Sequence, residues 1–290
     1  MKYICFGEVL FDCLPSGPVL GGAPLNVSYH LSQLGDEGWV LSALGKDELG
    51  DRAIREMEEK GQSISMIGRV EEPTGRADIT LINGDADYTF NYPCSWDVIP
   101  LPSVDFPKEV DLIYFGTLAQ RSPISRETLN TLLSRVEAKE VFYDVNIRKD
   151  FYSKELILEG MERASVLKVN DEELPLILTI AEKYSGDFKK DVESLATSFG
   201  LKYVIVTKGG EGSVVFGNGR WSEVGVEQNL KVVDTVGAGD SLSAGFCHTL
   251  FLTGDAKKAL MVGSKIAGFV VTRKGAMPEY PEALINSLRE

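Results

Sequence analysis

The sequence predicts an α/β fold, and three observations carry that prediction. Short apolar runs that stop at glycine or at an acidic residue alternate with stretches of helical period along most of the 290 residues. The alternation is interrupted once, between Ala77 and Tyr92, by two runs of period-two patterning around Asn83-Gly84. A hydrophobic content of 43% over this length is enough for one large core or two modest domains.

Tyr3 to Phe6 reads as a buried first strand ending at Gly7, with Asp12 in the loop beyond it. An acid just past a strand's C-terminal end is placed to meet a ligand in an open α/β sheet, although Asp is also a common turn former. Gly21-Gly22-Ala23-Pro24-Leu25-Asn26-Val27 then leads into a helix through Tyr29, Leu31 and Leu34, stopped by Gly35. Trp39 to Leu44 reads as a strand and Asp51 to Lys60 as an exposed helix ending at Gly61. Ala77, Ile79 and Leu81, then Tyr88, Phe90 and Tyr92, form a hairpin with one apolar face, which suits a substrate lid or a dimer interface. Trp96-Asp97 closes that excursion.

From Asp111 the alternation resumes, with Leu112 to Phe115 as strand, Ile124 to Ala138 as helix and Val141 to Tyr143 as strand. Asp144-Val145-Asn146-Ile147-Arg148 falls at that strand's C-terminal end. Val166 to Val169 is the next strand, and Asn170-Asp171-Glu172-Glu173 opens a helix with three acids that answer its dipole. Tyr203 to Val206 leads into Thr207-Lys208-Gly209-Gly210-Glu211-Gly212, and Ser213 to Phe216 with Trp221 to Val224 makes a second hairpin. Ala256 to Thr272 reads as a long helix rich in small residues.

Between the second hairpin and that helix lies Asp234-Thr235-Val236-Gly237-Ala238-Gly239-Asp240-Ser241, a tight loop feeding a helix. The first amides of a helix have no intrahelical partner and lie at the positive end of its dipole, so this loop can hold a phosphate or an oxyanion. The same field is expected to keep Asp240 ionised and able to accept a proton from a hydroxyl. An isolated GxGD reads more readily as an ordinary N-terminal carboxylate helping to cap a helix, and it is the wider string that changes the reading.

The eight-residue string resembles the C-terminal signature of the ribokinase-like (pfkB-type) carbohydrate kinases. Gly-Gly-Ala-Pro-x-Asn-Val resembles their N-terminal signature, and the Trp96-Asp97 return looks like that of fructokinase-like members. The resemblance implies a three-layer α/β/α ribokinase-like fold, one domain over residues 1–290, with a small β-sheet lid formed by about 13–22 and 73–98. It makes Asp240 the base and Gly237, Ala238 and Gly239 the anion hole. Asp12, Gly22 and Asn26 would bind the sugar. Arg148, from a DxNxR string shared by fructokinases and 2-keto-3-deoxygluconate kinases, would approach substrate and phosphate. The family's Asn-x-x-Glu motif implies Asn170 facing the nucleotide phosphates and Glu173 holding Mg2+ through water. Thr207, Lys208, Gly209 and Gly212, with Gly239, would bind ATP. Val271 to Ala276 resembles the segment that wraps the adenine and a monovalent cation, which makes Asp234 and Gly275 candidates for K+; Glu279 stands where ribokinase-like examples have Ser.

The formal charge of −13 argues against nucleic acid or an anionic membrane as partner. The apolar run before Glu8 is too short for a signal peptide and nothing later approaches a membrane span, so a cytoplasmic protein is expected. Four scattered cysteines and two histidines fit neither a disulfide framework nor structural zinc. Motifs of P-loop ATPases, dinucleotide-binding enzymes and serine hydrolases are missing. The expected activity is transfer of the ATP γ-phosphoryl group to a sugar hydroxyl, with a homodimer through the lid as a further expectation. Residues 3–45 hold no Lys or Arg and Pro73 to Pro100 only Arg76, which favours a neutral sugar, with Arg121 and Arg148 as counter-arguments. Fructose comes first, ribose second and 2-keto-3-deoxygluconate third. A nucleoside kinase is the competing enzyme, and a sugar or nucleotide sensor on the same fold the non-catalytic alternative.

Overall fold

A computed structural model describes residues 1–14, 17–82, 85–227 and 230–289 of the chain. The chain runs through β1 (Lys2–Phe6), β2 (Leu10–Leu14), β3 (Gly17–Gly21), α1 (Ala23–Gln33), β4 (Glu37–Gly45), α2 (Glu48–Glu59) and β5 (Ile67–Val70), then β6 (Gly75–Ile82) and β7 (Asp85–Phe90). It resumes with β8 (Glu109–Gly116), α3 (Pro123–Arg135), β9 (Glu137–Asp144), α4 (Lys154–Arg163), β10 (Val166–Asn170), α5 (Glu173–Ile180), α6 (Phe188–Phe199) and β11 (Tyr203–Thr207). The hairpin β12 (Ser213–Gly217) and β13 (Arg220–Val224) follows, then α7 (Ala238–Thr253), α8 (Ala256–Val270) and α9 (Glu282–Arg289).

Alternation within each strand builds the layers. Ile4 and Phe6 of β1 face one core while Tyr3 and Cys5 face another, and the same division separates Leu167 and Val169 from Val166 in β10. Helices α3 to α6 cover the first face; α1, α7 and α8 cover the second. Strands apolar on both sides need that double cover, and they pair in the order β13-β12-β11-β10-β9-β8-β1-β4-β5. Every pairing from β5 to β11 is parallel, and β12 and β13 join antiparallel. The chain leaves β1 for β4 on one side and returns to β8 on the other, so a crevice opens beyond the C-terminal ends of β1 and β8.

A second sheet, in the order β3-β2-β6-β7, stands over that crevice. Asp12 belongs to it: the residue expected in a loop lies in β2, paired with Val19 of β3 and Ala77 of β6. Period-two geometry explains the placement, because Phe11 is buried against β4 and α2 while Leu10 and Asp12 line the crevice. The expected Asn83-Gly84 turn lies outside the described residues; β6 and β7 pair from Ala77↔Phe90 to Ile82↔Asp85. The helix expected to reach Ala138 stops at Arg135, because Val136 is already extended at φ −111° and ψ 122° and leads into β9.

Candidate active site

Two cavities meet at the N-terminus of α7. A polar one of about 340 Å³ is lined by Asp12, Asn26, Asp144, Lys168, Glu173 and Asp240 among others. An apolar one of about 560 Å³ is lined largely by Val226, Leu230, Val232, Leu242, Ala267 and Val271. Thr207, Thr235 and Gly239 line both, so the loop before α7 is the seam between them. No side chain of the described residues caps α7, which begins after Gly237 in the left-handed region at φ 78°. A Cβ at Gly237 would lie 2.6 Å from that of Ala276, so only glycine lets this loop turn against the 271–276 segment.

Asp240 sits in the first turn of α7, and its Oδ2 accepts 2.8 Å from Asn26 Nδ2. Asn26 is held there by the start of α1, where its amide donates 2.9 Å to the Gly22 carbonyl. Gly22 itself adopts φ 109°, and a Cβ would strike the carbonyl oxygen of Glu8, so glycine is what lets α1 begin against the exit of β1. The field of α7 does not win at Asp240. Burial, with Asp144 nearby, pushes its pKa up to about 6 against the opposing effects of Asn26, Lys168 and Arg148. Burial also raises Asp12 to about 6 and Glu8 to about 7, with Asp240 adding repulsion and Arg148 attraction in both cases.

Glu173 and Asn170 lock each other at the start of α5. Asn170 N donates 2.9 Å to Glu173 Oε2, Glu173 N donates 2.7 Å to Asn170 Oδ1, and Ile147 N donates 2.7 Å to Glu173 Oε1. Burial raises the Glu173 pKa, with the Asn170 amide first among the effects holding it down. Each carboxylate oxygen has spent one lone pair on an amide, leaving a second for water, which fits an outer-shell role toward Mg2+. Arg148 lines the same cavity and is exposed.

Of the residues expected to bind ATP, Thr207, Gly209 and Gly212 line the apolar cavity and Asn170 the polar one. Lys208 lines neither in this structure: its ammonium lies 4.9 Å from the centre of the Phe188 ring. Asp234 clamps two loops, accepting 3.0 Å from Val236 N and 3.0 Å from Gly275 N. Each carboxylate oxygen of Asp234 thus accepts one of these amides, Oδ1 from Val236 and Oδ2 from Gly275. Glu279 is exposed.

A sequence profile of the pfkB family of carbohydrate kinases matches residues 18–283. The chain belongs to this family. Fructokinase from Escherichia coli is 27% identical over 302 aligned residues, spanning 97% of this chain and 96% of that one. Fructokinase from Rhizobium leguminosarum bv. trifolii is 28% identical over 268, spanning 85% and 79%. The crystal structure of Vibrio cholerae O395 fructokinase with fructose, ADP and calcium bound superposes at a TM-score of 0.85 and 19% identity over 100% and 99% of the two chains. That likeness shows the shared ribokinase-like fold.

Two further charged residues, outside the motifs quoted above, line the polar cavity. Glu8 is 5% exposed and lies directly after Gly7; Lys168 is 7% exposed in the middle of β10. The signal for Lys168 was present, since a lysine inside a run as apolar as Val166-Leu167-Lys168-Val169 must be paired if the strand is buried. Its partner is Asp144, at 2.8 Å. Burial opposes its charge, but Asp144, together with Asp240 and Glu173, more than offsets that and raises its pKa. Arg121, weighed in the sequence as a cation for an anionic substrate, is engaged elsewhere. It donates 2.7 and 2.8 Å to Asp97, gives 2.8 Å to the Asn91 carbonyl and lies 3.7 Å from the Trp96 ring centre.

Proposed function

We propose that this carbohydrate kinase transfers the γ-phosphoryl group of ATP to a hydroxyl of a small neutral sugar, fructose first. The observation that carries the reading is the place of Asp240, beside the seam of an apolar cavity that suits adenine and a polar cavity that suits a sugar. The sugar hydroxyl oxygen forms the new bond to phosphorus, the bond to the ADP β-phosphate oxygen breaks, and the hydroxyl proton passes to Asp240. Asn26 occupies Oδ2, which leaves Oδ1 to face the acceptor. A carboxylate is too weak to ionise an alcohol beforehand, so it acts late, as the oxygen acidifies on bonding to phosphorus. The amides from Gly237 to Gly239 hold the charge that develops. Mg2+, held through water near Glu173, supplies neutralisation of the ATP phosphates when bound. Arg148, which lines the same cavity, approaches substrate and phosphate, and the small sheet, which contributes Leu10, Asp12 and Phe90 to the cavity, acts as the lid.

Charge favours a neutral acceptor. The polar cavity carries five carboxylates, Glu8, Asp12, Asp144, Glu173 and Asp240, against two cations, Arg148 and Lys168, and Lys168 is already paired. An acid or phosphate on the sugar would enter against that balance. With Arg121 tied to Asp97, one of the two counter-arguments from the sequence is weakened, while Arg148 still lines the cavity. The names of the relatives support fructose over ribose and 2-keto-3-deoxygluconate. ADP release should be measured with these three, adenosine and fructose 6-phosphate. Fructose is expected to give the highest kcat/KM; an anionic substrate better by about tenfold or more would overturn the neutral-cleft reading.

A further inference from the structure

Three charged groups of the polar cavity, Glu8, Asp144 and Lys168, have no task in this chemistry, and two of them form an ion pair. Lys168 points from β10 to the face of the sheet that α7 covers, since its neighbours Leu167 and Val169 face the opposite core. Its Nζ donates to both oxygens of Asp144, at 2.9 and 2.8 Å, and Tyr114 Oη donates 3.1 Å to Asp144 Oδ2. The same ammonium would lie 3.3 Å from a Cβ placed on Gly239, so it stands against the backbone of the seam residue. Lys168, Asp144, Gly239 and Asp240 all line the cavity.

A buried ion pair placed only for stability has no reason to open onto a ligand cavity, and apolar residues often replace such a pair without loss. Here the pair lies where the phosphoryl group must pass. An ammonium has three protons, and Asp144 takes two of them, leaving a third for a ligand oxygen. We propose that Lys168 is a catalytic residue: its ammonium, aimed by Asp144, donates to an oxygen of the phosphoryl group in flight, beside the amides of Gly237 to Gly239. Asp144 is then a positioning residue that holds the ammonium and keeps it charged. This rests on the phosphoryl-transfer reading of the site, though not on which sugar accepts.

The decisive variant is Asp144→Asn with Lys168→Met. Removing both charges avoids stranding a buried carboxylate, as Lys168→Met alone would, so the double variant should fold and melt near wild type. It is expected to lose about 10²- to 10³-fold in kcat, and as much in sugar-independent ATP hydrolysis, while calorimetric affinity for ADP stays within about threefold. Lys168→Arg, which keeps the charge, should retain at least about tenfold more activity than the double variant. Recovery of more than about a tenth of wild-type kcat in the double variant would mark the pair as purely structural and overturn the proposal. A loss of ADP affinity as large as the loss of kcat would do the same, since it would show uniform binding. If wild type hydrolyses ATP but does not phosphorylate fructose, the fructose reading fails and the hydrolysis comparison still decides for or against Lys168. If wild type neither binds nor turns over ATP, both readings fall.

Discussion

Asp240 carries opposing demands that its surroundings leave unresolved. In the proposed reaction it would have to ionise to accept a proton, yet burial and Asp144 raise its pKa to about 6. Activity that depends on the free base should therefore fall as pH drops through about 6, with Asp12 at about 6 and Glu8 at about 7 broadening the acid limb. A kcat/KM profile flat down to about pH 4.5 would exclude Asp240 as the base. Asp240→Asn keeps an oxygen for Asn26 Nδ2 but no base, so kcat should drop by several orders of magnitude with ADP affinity little changed. The same shift has a cost in stability. A carboxyl raised from 3.8 to about 6 on folding stabilises the native state below its unfolded pKa and loses that contribution as pH rises through the folded one. Asp240→Asn should accordingly melt above wild type at about pH 8, with the difference shrinking below about pH 4. Thermal melts across that range test the sign.

At the scale of elements, what was legible followed from burial. The strands Tyr3 to Phe6, Val166 to Val169 and Tyr203 to Val206 were read from apolar runs because both faces of this sheet are covered, and each was found within a residue of its expected ends. The boundary between α3 and β9 was misplaced because Val136 and Ala138 continue the apolar pattern of the helix, and only the backbone at Val136 reveals the switch. Helices α4 and α6 lie between the motif-bearing loops, and their signals are local ones: Ser153 and Asp187 cap them, accepting from Leu156 N and Lys190 N. Asp12 is not legible as a strand residue because β2 is only five residues long and depends on partners from β3 nearby and from β6 about sixty residues on. The small sheet is open to a direct test. Deleting the segment between β6 and β7 together with the ends of both strands should raise ATP hydrolysis in the absence of sugar, because the cavity would admit water as acceptor. Unchanged hydrolysis together with unchanged sugar phosphorylation would make this sheet an interface and not a lid.

Across the whole molecule, the order of strands makes one site from distant pieces of chain. The crossover from β1 to β4 and back to β8 opens the crevice, β9, β10 and β11 deliver Asp144, Lys168, Asn170 and Thr207 along one edge of it, and α7 arrives last to close the seam. Motif spacing could name the residues of each loop, but the pairing of Lys168 with Asp144 depends on β9 and β10 being neighbours, which spacing does not express. The division into two cavities also depends on assembly, since α8 supplies Ala267 and the segment after β13 supplies Val226, Leu230 and Val232 to the apolar side. Because the cavities share only Thr207, Thr235 and Gly239 among their described linings, binding on the two sides should be separable. Ala267→Leu adds bulk to the apolar wall away from the seam, and overpacking of that kind costs roughly 1–3 kcal/mol. The KM for ATP should rise by about tenfold or more while the KM for the sugar stays within about threefold, as steady-state rates with each substrate varied in turn would show. A sugar KM that rises in step with that for ATP would mean that the apolar cavity is not the nucleotide's.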